Sequence, residues 1–84
     1  MNDSELIERV RRILKAHARL GQDADTIPVD ADLYQVGMTS HASVNVMLGL
    51  EGEFDIEFPD AMLKRNVFNS IATICAALDE LNVG

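Results

Sequence analysis

The sequence predicts an all-α fold: a four-helix bundle with a long first loop and a short third helix. Three observations carry that expectation. Apolar residues recur at spacings of three and four in three separate stretches, as on one face of a helix. Strand-like alternation is confined to Ile56 and Phe58, a run too short to build a sheet. The breakers Gly21, Pro28 and Pro59 fall between the periodic stretches. At 84 residues the chain is expected to form one domain, residues 1–84.

The first helix is expected over residues 4 to 20. Leu6, Ile7, Val10, Ile13, Leu14 and Leu20 make its apolar face. Asp3 or Ser4 can cap it, and Gly21 can stop it. Arg9, Arg12 and Lys15 fall on its polar side. Residues 21 to 39 form a connection long enough to require pinning or a function of its own. Ile27, Val29, Leu33 and Tyr34 are its expected anchors.

The second helix is expected over residues 40 to 54. At about 100° per residue, Ser43, Val46, Met47, Leu50 and Phe54 form one stripe facing the core. Val44 and Leu48 lie outside that stripe and make a second apolar strip running back from Ser40. Either another helix covers the strip, or it is an exposed docking surface. After Pro59, residues 60 to 64 read as the short third helix. Asn69 or Ser70 starts the last one, with Ile71, Ile74, Cys75, Leu78 and Leu81 at helical spacing. Cys75 falls on that apolar stripe and is expected in the core.

Composition narrows the function. A net charge of −7 excludes a binder that tracks nucleic-acid phosphates. Between Leu20 and Leu63 there are nine acids and no Lys or Arg. That stretch reads either as an ordinary solvated acidic surface or as a face that steers basic partners. The single cysteine precludes an internal disulfide and fits a reducing compartment. Without a membrane-length apolar run or a secretory pattern, the expectation is a cytoplasmic monomer with no membrane partner.

Metal and catalytic readings find little support. His17, His41 and Cys75 have no zinc-ligand spacing. Asp30 and Asp32 resemble the start of a calcium loop, but Gln35 and His41 stand where its Gly and final Glu belong. Ser40 and His41 are adjacent on a helix, so they point about 100° apart and form no dyad. No metal, no catalytic residue and no enzymatic activity are expected.

Ser40 is the most informative residue. It lies in Gly37-Met38-Thr39-Ser40-His41-Ala42-Ser43-Val44, where a loop gives way to a helix. A helix start offers free N–H groups and partial positive charge to a phosphate. The plainer reading is that Ser40 or Thr39 only caps the helix. The same residues, followed by Leu50-Glu51-Gly52-Glu53-Phe54 and Asp55-Ile56-Glu57-Phe58-Pro59-Asp60, resemble the acyl carrier protein family. In that family a Gly lies three residues before a modified serine and an apolar residue four after it, here Gly37 and Val44.

The resemblance implies that Ser40 carries 4′-phosphopantetheine, taken from coenzyme A by a phosphopantetheinyl transferase. It implies that Thr39, His41, Val44, Leu48 and Glu51 meet partner enzymes. The chain would hold an acyl or aminoacyl group as a thioester and present it to a downstream enzyme. The alternative is an unmodified acidic helical module that binds proteins. Thr39 and His41 replace the family's usual Asp and Leu around the serine, and Asn45 and Gly52 replace common acids. Leu33-Tyr34, Met38-Thr39-Ser40 and Phe54-Asp55-Ile56-Glu57-Phe58-Pro59-Asp60 are most similar to stand-alone carriers. Those are loaded with amino acids by ligases resembling seryl-tRNA synthetases.

Overall fold

The computed structural model describes residues 3–81. Four α-helical segments occur in them: α1 (Asp3–His17), α2 (Leu33–Val36), α3 (Ser40–Phe54) and α4 (Ile71–Glu80). Short 3₁₀ turns lie at Ala24–Thr26, Asp60–Met62 and Arg65–Val67, and there is no strand among the described residues. The all-helical expectation therefore holds.

The three long helices form because each has an apolar face to bury and an end that is satisfied. α1 buries Leu6, Val10, Ile13 and Leu14; α3 buries Ala42, Val46 and Leu50; α4 buries Ile71, Ile74, Ala77 and Leu78. Each Leu, Ile or Val among these is worth roughly 1.5–3 kcal/mol when removed from water. Ser70 starts α4 with a capping box: its hydroxyl accepts from the Thr73 N–H, and Thr73 Oγ1 accepts from the Ser70 N–H. Asp55 ends α3 in the left-handed region, at φ 54°, a conformation Asp tolerates better than most side chains.

The long connection is pinned at several points. Arg11 donates to the carbonyls of Ala24 (2.6 Å) and Ile27 (2.7 Å). Gly21 N–H donates to Val36 O, and Leu33 N–H to Asn69 O. Ile27, Leu33 and Met38 are buried beneath these bonds. Asp32 caps α2, its carboxylate accepting from the Tyr34 N–H at 2.9 Å.

Several details differ from the sequence expectations. α1 stops at His17, three residues early, and Arg19 takes a positive φ of 51°. The helix expected after Pro59 is two 3₁₀ turns, a form suited to segments of three or four residues. Val29 is exposed rather than an anchor, while Ala42 joins the core. Cys75 is only half-buried, because Ile71, Ile74 and Leu78 take the centre of the α4 face.

Candidate functional site

The start of α3 is built by three consecutive devices. Gly37 ends α2 at φ 124°, where any L side chain would be strained, and a Cβ there would stand 3.2 Å from Gly21 N. This turn lets Met38 bury its side chain and leads the chain into Thr39. Thr39 is the N-cap: its hydroxyl accepts from the Ala42 N–H at 3.0 Å, and its carbonyl from the Ser43 N–H at 2.9 Å. The choice between Thr39 and Ser40, open in the sequence, is thereby made. Thr39 caps, and Ser40 is the first helical residue.

Ser40 is exposed, and its hydroxyl makes no hydrogen bond among the described residues. The N–H groups of Ser40 and His41 likewise have no partner there. Ser43 Oγ donates to the Ser40 carbonyl at 2.6 Å, which braces the first turn without engaging the Ser40 side chain. An exposed hydroxyl, two free N–H groups and the positive end of a 15-residue helix coincide at one point. These features fit a phosphate ester on Ser40.

Two recesses flank this point. One is a groove of about 410 Å³ between α3 and the segment of residues 60 to 68. Ser40 and Ser43 line it, with Val44 and Met47 on the α3 side and Leu63 and Phe68 opposite. The other, of about 340 Å³, includes His17, Arg19, Thr39, His41 and Asn45.

The second apolar strip is exposed. Val44 is 51% accessible and Leu48 55%, so no other helix covers them. Leu63, 45% accessible, extends the apolar surface across the groove. His41 is exposed beside them. Glu51 differs from its neighbours. It is half-buried, and its carboxylate accepts from the buried Phe58 N–H at 2.8 Å, tying the chain after α3 back onto the helix.

The acidic stretch is also partly engaged within the molecule. Asp23 and Asp25 pair with Lys15, whose pKa is raised, chiefly by its hydrogen bond to Asp25. Glu53 pairs with Arg9 at 2.7 Å, and Arg9 also lies over the Phe54 ring, 4.4 Å from its centroid. Sequence reasoning placed Arg9 on a plain polar face. It missed the Arg9–Glu53 pair because partners 44 residues apart leave no local signal. Lys64 and Arg65 are exposed and without an ion pair, and the Arg65 guanidinium stacks 3.9 Å above the Tyr34 ring.

Cys75 lies elsewhere, in a depression between α1 and α4. Burial pushes its thiol up to about 11, with the charges of Asp79 and Asp3 adding to the shift. No group of three metal-ligating side chains occurs among the described residues, and no helix there is long and apolar enough to cross a membrane.

Comparison with known proteins identifies the family of the chain. A family model described as the phosphopantetheine attachment site matches residues 4–78. The chain is 51% identical over 65 residues to an aminoacyl carrier protein of Agrobacterium fabrum, covering 77% of this chain and 78% of that one. It is 38% identical over 71 residues to aminoacyl carrier protein 1 of Bradyrhizobium diazoefficiens, covering 84% and 74%. It is also similar to a chain in the crystal structure of an engineered Bradyrhizobium japonicum glycine:[carrier protein] ligase complexed with a carrier protein from Agrobacterium tumefaciens and AMP. There the TM-score is 0.85 and the identity 45%, over 87% of this chain and 97% of that one.

Proposed function

Because the chain belongs to the phosphopantetheine attachment-site family of carrier proteins, we propose that Ser40 is its attachment residue and that its cargo is an amino acid. Carrier function and the 4′-phosphopantetheine group follow from that membership, and the family is not itself catalytic. The group supplies a thiol at the end of a flexible arm, on which an acyl or aminoacyl residue is held as a thioester.

One observation carries the choice of Ser40. Thr39 does the capping, so Ser40 presents an exposed hydroxyl with no partner at the start of α3. In the modification, the hydroxyl proton leaves and an Oγ–phosphorus bond forms. The diphosphate linkage of coenzyme A breaks, and adenosine bisphosphate departs. The N–H groups of Ser40 and His41 and the α3 dipole favour the anionic ester that results. Gly37 and Thr39 keep the junction open by fixing the turn and the cap.

The partners are a phosphopantetheinyl transferase, a loading ligase that activates an amino acid, and a downstream enzyme that takes it. The relatives named aminoacyl carrier proteins, and the carrier crystallised with a glycine:[carrier protein] ligase, support the amino-acid cargo. Thr39, His41, Val44 and Leu48 form the docking face, with Glu51 at its edge. Its contact is apolar in the middle, the arrangement that carries most binding energy at protein interfaces.

The test is intact mass after incubation with coenzyme A and a phosphopantetheinyl transferase. The wild type gains one phosphopantetheine, and Ser40→Ala gains none while keeping its helical content. A gain in Ser40→Ala would overturn the assignment. Loading of the modified protein with a glycine:[carrier protein] ligase then tests the cargo.

A further inference from the structure

We propose that Lys64 and Arg65 hold the phosphodiester of the group attached at Ser40, so that the arm rests along the groove between α3 and residues 60 to 68. The proposal depends on Ser40 being the attachment site.

Charge is the first argument. The sequence has 14 acids and seven Lys or Arg, and after Arg19 the only two bases are Lys64 and Arg65. Arg9, Arg11 and Lys15 are bonded within the fold. The side chains of Lys64 and Arg65 have no ion pair or hydrogen bond among the described residues, despite the excess of carboxylates. Both line the same groove as Ser40. The attached group brings one negative charge to Ser40, and these are the cations that face the groove it enters.

Preorganisation is the second. Arg65 is held over the Tyr34 ring at 3.9 Å, and Tyr34 itself lines the groove. A guanidinium stacked by its face keeps its N–H edge for an anion and loses little freedom on engaging one. Lys64 adds a flexible point charge beside it.

The third is shape and polarity beyond the phosphate. The arm continues as a dimethylated carbon chain interrupted by amides. The groove continues as Val44, Met47, Leu63 and Phe68. Its volume of about 410 Å³ falls in the range of roughly 300–1,000 Å³ typical of small-molecule sites. The contact is exposed, so it biases the arm several-fold rather than locking it, and salt weakens it. A biased arm stays available to partners and spends part of its time against the protein.

The experiment compares backbone amide NMR shifts of the unmodified and modified protein, in the wild type and in a Lys64→Ser, Arg65→Ser double variant. Intact mass verifies modification in each sample. In the wild type the group should shift amides near Ser40 and also across the groove, at Tyr34 and residues 63 to 68. The across-groove changes should fall several-fold in the double variant and on adding salt. The Lys64→Ser single variant, which keeps the Arg65–Tyr34 stack, should show an intermediate loss and serves should the double variant lose its fold. Changes confined to the vicinity of Ser40, or across-groove changes equal in all variants, would overturn this proposal alone. Absence of any mass gain would overturn the Ser40 assignment and this proposal with it.

Discussion

The two ends of α3 use their polar residues in opposite ways. At the C-terminal end they bind the fold together: Glu51 holds the Phe58 N–H, Glu53 holds Arg9, and Arg9 stacks on Phe54. At the N-terminal end Thr39 and Ser43 bond only to the helix's own first turn, and Ser40, His41, Val44 and Leu48 face solvent. One helix thus joins a rigid base to an open working end. The difference shows that charge count is a poor guide to which surface the fold leaves open. Three acids of the stretch after Leu20 pair with cations of α1, whereas the exposed strip beside Ser40 is uncharged.

The sharpest way to break this comparison is to truncate leucines on opposite faces of the same helix. Leu50 is fully buried, so Leu50→Ala removes packed atoms and leaves a cavity; it should cost about 2–5 kcal/mol by denaturant unfolding. Leu48, 55% exposed, should change stability by about 0.5 kcal/mol or less when replaced by Ala. Similar losses at both positions would mean that the strip is covered in solution.

Glu51 tests the base. Its carboxylate satisfies a main-chain N–H next to the buried Phe58 side chain, and Glu51→Ala leaves that donor unpaired. The expected cost is about 1–3 kcal/mol. If Glu51→Ala left stability unchanged but abolished partner binding, the residue would belong wholly to the working end.

How much of this was legible in the sequence depended on how local the cause was. The start of α3 at Ser40 could be read because a hydroxyl pair precedes an apolar period. The separation of Val44 and Leu48 from the core stripe could be read because 100° per residue places them off it, but whether another helix covers them could not. Glu51, Arg9 and Arg11 could not be read in this way. Each acts through a partner that only folding brings near, whether Phe58 N–H, Glu53 or the Ala24 and Ile27 carbonyls. The 3₁₀ turns after Pro59 are too short to carry a period, so a single helix was the natural expectation. The proposed attachment at Ser40 came from resemblance, since a capping serine and a modified one have the same local signature.

Thr39 is the cap and Ser40 the proposed attachment residue, and two substitutions separate the roles. Thr39→Ala removes the acceptor for the Ala42 N–H and should cost about 1 kcal/mol, with modification at Ser40 retained. Ser40→Ala removes no hydrogen bond of the fold and should leave the unfolding midpoint nearly unchanged. If Ser40→Ala costs as much as Thr39→Ala, Ser40 is helping to cap.

Cys75 provides a control away from both ends of α3. Burial raises its pKa to about 11 from 9.0, so the folded protein keeps the thiol proton to higher pH than the unfolded chain. That contribution is fully present below about pH 9 and lost as the pH rises through about 11. With the thiol half exposed, solvent screening reduces it to about 1 kcal/mol or less. The stability difference between wild type and Cys75→Ser should therefore change across that window, while phosphopantetheine attachment stays the same in both.

The smallest expected effect on folding tests the working end most directly. Val44→Asp and Leu48→Asp place a charge on side chains already 51% and 55% accessible, so neither buries an unpaired carboxylate. Stability should move by about 0.5 kcal/mol or less. Docking should suffer far more, because a partner closing over the strip would have to strip water from the new charge. A loss of about tenfold or more in affinity for a glycine:[carrier protein] ligase corresponds to roughly 1.4 kcal/mol, an ordinary penalty for damage at the centre of an interface. Titration by calorimetry, with thermal unfolding of the same samples, separates the two quantities. Unchanged affinity with unchanged stability would leave the open end of α3 without a docking role and move the search to the recess of His17, Arg19 and His41.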